Sequence, residues 1–181
     1  MKALIIVDVQ VDFCPGGALA APGGDKVIPV INKLLDKFDL IIASRDWHPD
    51  QTIHFDKWPV HCVRETPGAD FHPKLDSSKI RQQFLKGTEN RDDGYSAFEA
   101  TNKNLENYMK ENSIDELFVS GLATDYCVKA TALDSIKNGF RTTVVEDAIA
   151  AVNIQPADGR DAIDAMKKAG IRFVKSTELT F

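Results

Sequence analysis

The chain has 181 residues, 43% of them hydrophobic, with 22 Lys and Arg against 27 Asp and Glu for a formal charge of −5. That is enough chain for one domain with its own core, and a negative balance without a Lys/Arg run argues against a nucleic-acid or anionic-membrane surface. The three cysteines, Cys14, Cys62 and Cys127, are an odd number without framework spacing, which points to a reduced compartment rather than a disulfide scaffold.

Ala3 to Val7 is a continuous apolar run, expected to be a strand buried on both faces. Asp8 ends it too early for a signal-peptide core, so the expected location is the cytoplasm. No apolar run reaches membrane-spanning length. The Gly/Pro-rich stretch from Pro15 to Gly24 is a loop. Asp25 is then expected to cap a helix that carries Val27, Ile28, Val30, Ile31, Leu34 and Leu35 at helical spacing. Leu40 to Ser44 is the second strand. From Arg45 to about Ser78 the sequence is irregular and rich in His, Pro, Trp and Asp, and so long a loop inside a compact domain is usually functional.

Gln83 to Lys86 is a weak third strand, Leu105 to Asn112 a helix, and Leu117 to Ser120 a fourth strand. Val128 to Gly139 is a helix that stops at Asn138-Gly139. Thr142 to Val145 is the fifth strand, Ala157 to Ala169 a helix ending at Gly170, and Ile171 to Val174 the sixth strand. This alternation predicts an α/β fold: a three-layer sandwich with a six-stranded, mostly parallel sheet flanked by helices on both faces, as one domain over residues 1–181.

In such sheets ligands bind beyond the carboxyl ends of the strands. The first strand ends in Asp8, the second runs out into Asp46 and His48, and the third ends in Lys86. The fourth leads through Gly121-Leu122-Ala123-Thr124-Asp125-Tyr126 to Cys127. With Thr124 and Asp125 read as N-caps, Cys127 falls in the first helical turn, where unpaired N–H groups and the dipole favour a thiolate. A strand, a tight turn and a cysteine at a helix start form a nucleophile elbow built on sulfur. Alone, the stretch accommodates a small buried hydrophobe equally well.

A thiol needs a base. Asp8 follows an apolar run, so burial should raise its pKa while Lys86 pulls it back down. Taken singly, Asp8 reads as a turn residue and Lys86 as a solvated lysine; their shared edge gives them meaning. Tyr126, not a histidine, precedes Cys127, so the base is not the usual Cys–His partner. All four histidines, His48, His54, His61 and His72, fall in the one long loop with Asp46, a donor set that suits zinc, iron or manganese. Cys62 ranks below the histidines as a ligand.

Together, these stretches resemble the nicotinamidase branch of the isochorismatase-like cysteine hydrolase superfamily. The matching residues are Val7-Asp8-Val9-Gln10 with Asp12 to Leu19, Asp46-Trp47-His48-Pro49, and Trp58-Pro59-Val60-His61-Cys62. They continue with Lys86-Gly87-Thr88, Tyr95-Ser96-Ala97-Phe98, and Gly121 through Ala132. The resemblance implies a cytoplasmic, metal-dependent cysteine amidohydrolase that converts nicotinamide, and also pyrazinamide in some members, to the acid and ammonia in salvage toward NAD, through a Cys127 thioester. It implies Asp8, Lys86 and Cys127 as catalytic residues, and the N–H groups of Ala123 and Cys127 as the oxyanion hole, helped by a cis peptide between Leu122 and Ala123. Asp46, His48 and His61 would bind one divalent metal, zinc before iron or manganese, and His54 matches a position that is a fourth ligand in some relatives only. Phe13, Leu19, Trp58, Tyr95, Leu122 and Ala123 would form the substrate slot. Partners expected are the small substrate alone, without nucleic acid or membrane, in a chain that also suits a homo-oligomer. Val11 stands where many relatives carry Asn, which leaves the catalytic set intact. Another small-amide hydrolase of the superfamily, or a non-catalytic metal-binding relative, are the competing readings.

Overall fold

The computed structural model describes residues 1–180. Its strands are β1 (Lys2–Val7), β2 (Leu40–Asp46), β3 (Gln82–Lys86), β4 (Glu116–Leu122), β5 (Arg141–Ala150) and β6 (Arg172–Val174). Its α-helices are α1 (Ile28–Leu34), α2 (Leu105–Glu111), α3 (Lys129–Lys137) and α4 (Asp158–Lys168). The strands pair in the order β3-β2-β1-β4-β5-β6, every pair parallel. Chain order reverses between β1 and β4, so the switch point lies beyond Val7 and Leu122.

Period-two alternation sorts the apolar strand residues onto two faces. Leu4, Ile6, Ile41, Ala43 and Phe118 pack with Ile28, Ile31 and Leu34 of α1. Ala3, Ile5, Val7, Ile42, Leu117 and Val119 pack with Leu105 and Met109 of α2, Ala132 of α3 and Met166 of α4. One face therefore has a single helix, and the long loop completes its cover with Cys62, Ala69 and Leu75. Each large apolar side chain so buried contributes roughly 1.5–3 kcal/mol, which is how an irregular loop is held firmly enough to carry a site.

Four local details differ from the sequence expectations. Asp25 does not cap α1; it lies inside a 3-10 turn, Gly24–Val27, and α1 starts at Ile28 with Pro29 in its first turn. β4 runs two residues past Ser120, because Gly121 adopts φ +108° where a Cβ would meet the Val7 carbonyl oxygen at 2.1 Å. β5 extends to Ala150, with a register irregularity against β4 between Val119 and Gly121. Thr124 and Asp125 do not cap the cysteine helix: it opens with a π turn, Thr124–Val128, in which the Val128 N–H donates to the Ala123 carbonyl at 3.1 Å.

Candidate active site

The carboxyl edge gathers its polar groups because each strand ends in a different way. β1 stops where Asp8 turns left-handed at φ +48°, a conformation that a short acid side chain tolerates. β2 and β3 deliver Asp46 and Lys86 as paired partners in register. β4 continues through the cis peptide Leu122–Ala123 into the Cys127 turn. Close contact of β4 with Val7, possible only with glycine at 121, sets that turn beside Asp8.

Lys86 is the hub. Its side chain is fully buried, and its ammonium donates to Asp46 Oδ1, to the Gly94 carbonyl at 2.6 Å and to Cys127 Sγ at 3.4 Å. Asp8 Oδ2 pairs with the same ammonium at 2.7 Å. Asp8 Oδ1 accepts from Ser44 Oγ at 2.7 Å. Donor atoms of Asp8, Asp46 and Cys127 all lie within 4.8 Å of one another. A buried carboxylate therefore stands next to the thiol.

Burial raises the Asp8 pKa from 3.8 to about 6, against the opposing pull of Lys86. Burial also pushes the Cys127 thiol well above its ordinary value, although Lys86 draws it down. The buried thiol needs a base to ionise it. The Lys86 ammonium is held charged: burial disfavours it, but Asp46 and Asp8 prevail and raise its pKa well above the lysine range. Asp46 stays ionised, because Lys86, His48 and His61 overcome its desolvation and hold it well below the usual carboxylate range.

Beside this cluster, ring nitrogens of His48, His54 and His61 lie within 4.8 Å of one another. Asp46 Oδ2 is 3.5 Å from His48 Nε2 and 3.8 Å from His61 Nε2. Each ring is held from behind through Nδ1: His48 by the Gly87 carbonyl at 2.8 Å, His61 by the Pro59 carbonyl at 2.6 Å, His54 by Asp92 Oδ1 at 3.0 Å. That leaves Nε2 as the free atom of each ring, and His48 Nε2 is buried with no hydrogen-bond partner. Three backed imidazoles and an ionised carboxylate, with one orphaned nitrogen, fit a first-row divalent cation. Among the described residues, His72 and Cys62 lie outside this group; the Cys62 thiol faces the Gly68 carbonyl at 3.9 Å, and His72 Nδ1 accepts from the Lys74 N–H.

Cys127, Asp46, His54 and His61 open on one pocket, walled by Phe13, Leu19, Trp58, Tyr95, Ala123, Tyr126 and Val152. The Trp58 indole N–H donates to Tyr95 Oη at 3.0 Å, and Tyr95 Oη donates to Asp92 at 3.1 Å, so the ring wall and the backing of His54 form one network. Of the expected slot residues, Leu122 is the exception: it is wholly buried in the core on the Phe118 face and does not line the pocket. Tyr126 and Val152 were not expected there, nor was Asp92 behind His54. An acid six residues after Lys86 gives no sequence signal of its own.

The isochorismatase domain model matches residues 2–178. The chain is 40% identical to the nicotinamidase of Escherichia coli, over 93% of this chain and 92% of that protein. The solved pyrazinamidase of Pyrococcus horikoshii in complex with zinc superimposes with a TM-score of 0.87 at 42% identity, covering 96% of this chain and 98% of that one. The crystal structure of PnC1 from L. infantum in complex with nicotinate superimposes with a TM-score of 0.91 at 36% identity, covering 98% of this chain and 93% of that one.

Proposed function

The chain belongs to the isochorismatase family, and from that premise we propose that it hydrolyses nicotinamide to nicotinate and ammonia, a salvage step toward NAD, with Cys127 as the nucleophile. The observation that carries this reading is the composition of one pocket. A buried thiol, next to a buried carboxylate paired with Lys86, opens on the same aromatic slot as an Asp–His cluster. The slot suits a flat ring, which aromatic faces bind well.

Asp8 Oδ2 takes the Cys127 proton, and Lys86, 3.4 Å from Sγ, stabilises the thiolate. The sulfur attacks the carboxamide carbon, and the resulting oxyanion lies against the N–H groups of Ala123 and Cys127, each worth about 3 kcal/mol in acyl transfer. The C–N bond breaks as Asp8 returns its proton to the departing ammonia, leaving a thioester on Cys127. Water then adds to the thioester and gives a proton to Asp8. Collapse releases nicotinic acid, which gives its proton to the ammonia in solution, and the thiolate, which recovers the proton held by Asp8. Lys86 remains charged throughout and fixes both partners.

Asp46, His48 and His61, with His54 as the fourth ligand, would hold one divalent cation, zinc in the first instance. When bound it supplies a Lewis acid for the ring nitrogen of the substrate, which aims the carboxamide at Cys127. Pyrazinamide, which keeps that nitrogen, is accepted on the same argument.

The test compares kcat/KM for ammonia release from nicotinamide and benzamide, with metal bound and after chelation. Benzamide has the same shape and scissile amide without the nitrogen. Losing one positioning bond costs several kcal/mol, on the order of a thousandfold. Equal values for the two amides in the metal-loaded enzyme would overturn nitrogen-directed binding and favour a general small-amide hydrolase.

A further inference from the structure

Val152 follows β5 in the connection to α4, and it is the one side chain this connection contributes to the pocket wall. Its place is not left to the loop. The Val152 and Asn153 N–H groups donate to the two oxygens of Asp125, at 3.0 and 2.8 Å. Asp125 is buried and lies two residues before Cys127, inside the π turn that presents the nucleophile. Beyond the clamp, Asn153 turns left-handed at φ +55° and its Oδ1 accepts from the Gly159 N–H at the start of α4. Two successive N–H groups held by one carboxylate are a rigid, charge-assisted anchor.

We propose that Asp125 is a positioning residue which ties Val152 to the nucleophile turn, and that Val152, so held, limits the size of substituents on the substrate ring. The proposal rests on the ring-amide reading above. The turn and the wall are parts of one clamp, so a substituent that displaces Val152 also strains the Cys127 turn. Bulky rings are therefore penalised in kcat as well as in KM. Sequence alone offers Asp125 as a helix cap; its partners lie 27 and 28 residues downstream.

The experiment uses nicotinamide and its four ring-methyl derivatives with the wild type, Val152→Ala, Asp125→Asn and Asp125→Ala. For at least one ring position, Val152→Ala should reduce discrimination against the methyl group by tenfold or more, since one methylene in an apolar pocket governs 10–200-fold. Asp125→Asn should relax the same position. Unchanged ratios at all four positions in Val152→Ala would overturn the size limit. A uniform loss across all five amides in both Asp125 variants, without a change in ratio, would make Asp125 merely structural. Hydrogen exchange at the Val152 and Asn153 amides reads the clamp without any substrate: protection should fall at least tenfold in both Asp125 variants, and unchanged protection overturns it. If the wild type does not hydrolyse nicotinamide, the ring-amide reading fails, while exchange still decides whether Asp125 holds Val152.

Discussion

Replacing Asp8 by Asn removes one charge at nearly constant shape, and the structure sets how stability should respond. Burial raises the Asp8 pKa from 3.8 to about 6. At 1.36 kcal/mol per pH unit, the folded state forgoes about 3 kcal/mol of stability at neutral pH. The sign follows from the direction. A raised carboxyl favours the folded state below pH 3.8, and that advantage is lost as pH rises through 6. Wild type therefore loses stability between pH 4 and pH 7 that the Asn variant keeps, by about 2 kcal/mol across that window. The Asn side chain can turn its oxygen to the Lys86 ammonium and its NH2 to the Ser44 hydroxyl, and the weaker pairing with Lys86 is constant with pH and cancels from the slope. The assay is urea unfolding of both proteins at several pH values with chelator present, so that metal binding does not add to the difference. Parallel stability curves would refute a raised Asp8 pKa. For activity the same group gives an acid limb: kcat/KM of the wild type should fall as pH drops through about 6, or lower once a bound cation favours the carboxylate.

Lys86→Met leaves Asp8 and Asp46 buried without their shared cation, so unfolding should show a loss of about 3–5 kcal/mol at pH 7 and less in acid. The kcat losses of Lys86→Met and Asp8→Asn should be far from additive in the double variant, as expected of groups acting as one unit. Gly87→Ala places a Cβ 2.4 Å from the His48 ring on a backbone at φ +62°, and should lower zinc affinity measured by chelator competition. Asp92→Ala removes the support behind His54 Nδ1 and should weaken zinc binding by 10–100-fold with little change in Tm of the metal-free protein.

The sequence exposes those features that depend on strand ends. Asp8, Asp46 and Lys86 lie at the ends of strands and Cys127 follows one through a short turn, and a parallel sheet brings such positions to one edge. The histidines were readable because they crowd one loop. What escaped depends on contacts between distant segments. Asp92 meets His54 across 38 residues, and Val152 reaches the pocket through a left-handed turn at Asn153 and a carboxylate 27 residues upstream. The resemblance put Leu122 in the slot, but the structure buries it at the end of the fourth strand, past the Ser120 at which the sequence reading ends that strand. Gly121 lets it continue, and period two then turns Leu122 to the Phe118 face rather than to the slot. Asp25 and Asp125 are both acids before helical runs, but an acid ahead of a helix has other N–H groups within reach. Asp125 found those of Val152 and Asn153.

If the Cys127 thiol cleaves the amide through a covalent intermediate, acid-quenching the metal-loaded enzyme during turnover of nicotinamide should trap the acyl group for mapping by peptide mass. The expected result is a nicotinoyl group on the peptide containing Cys127, together with no ammonia release by Cys127→Ala. Ammonia release by Cys127→Ala at the wild-type rate would contradict it.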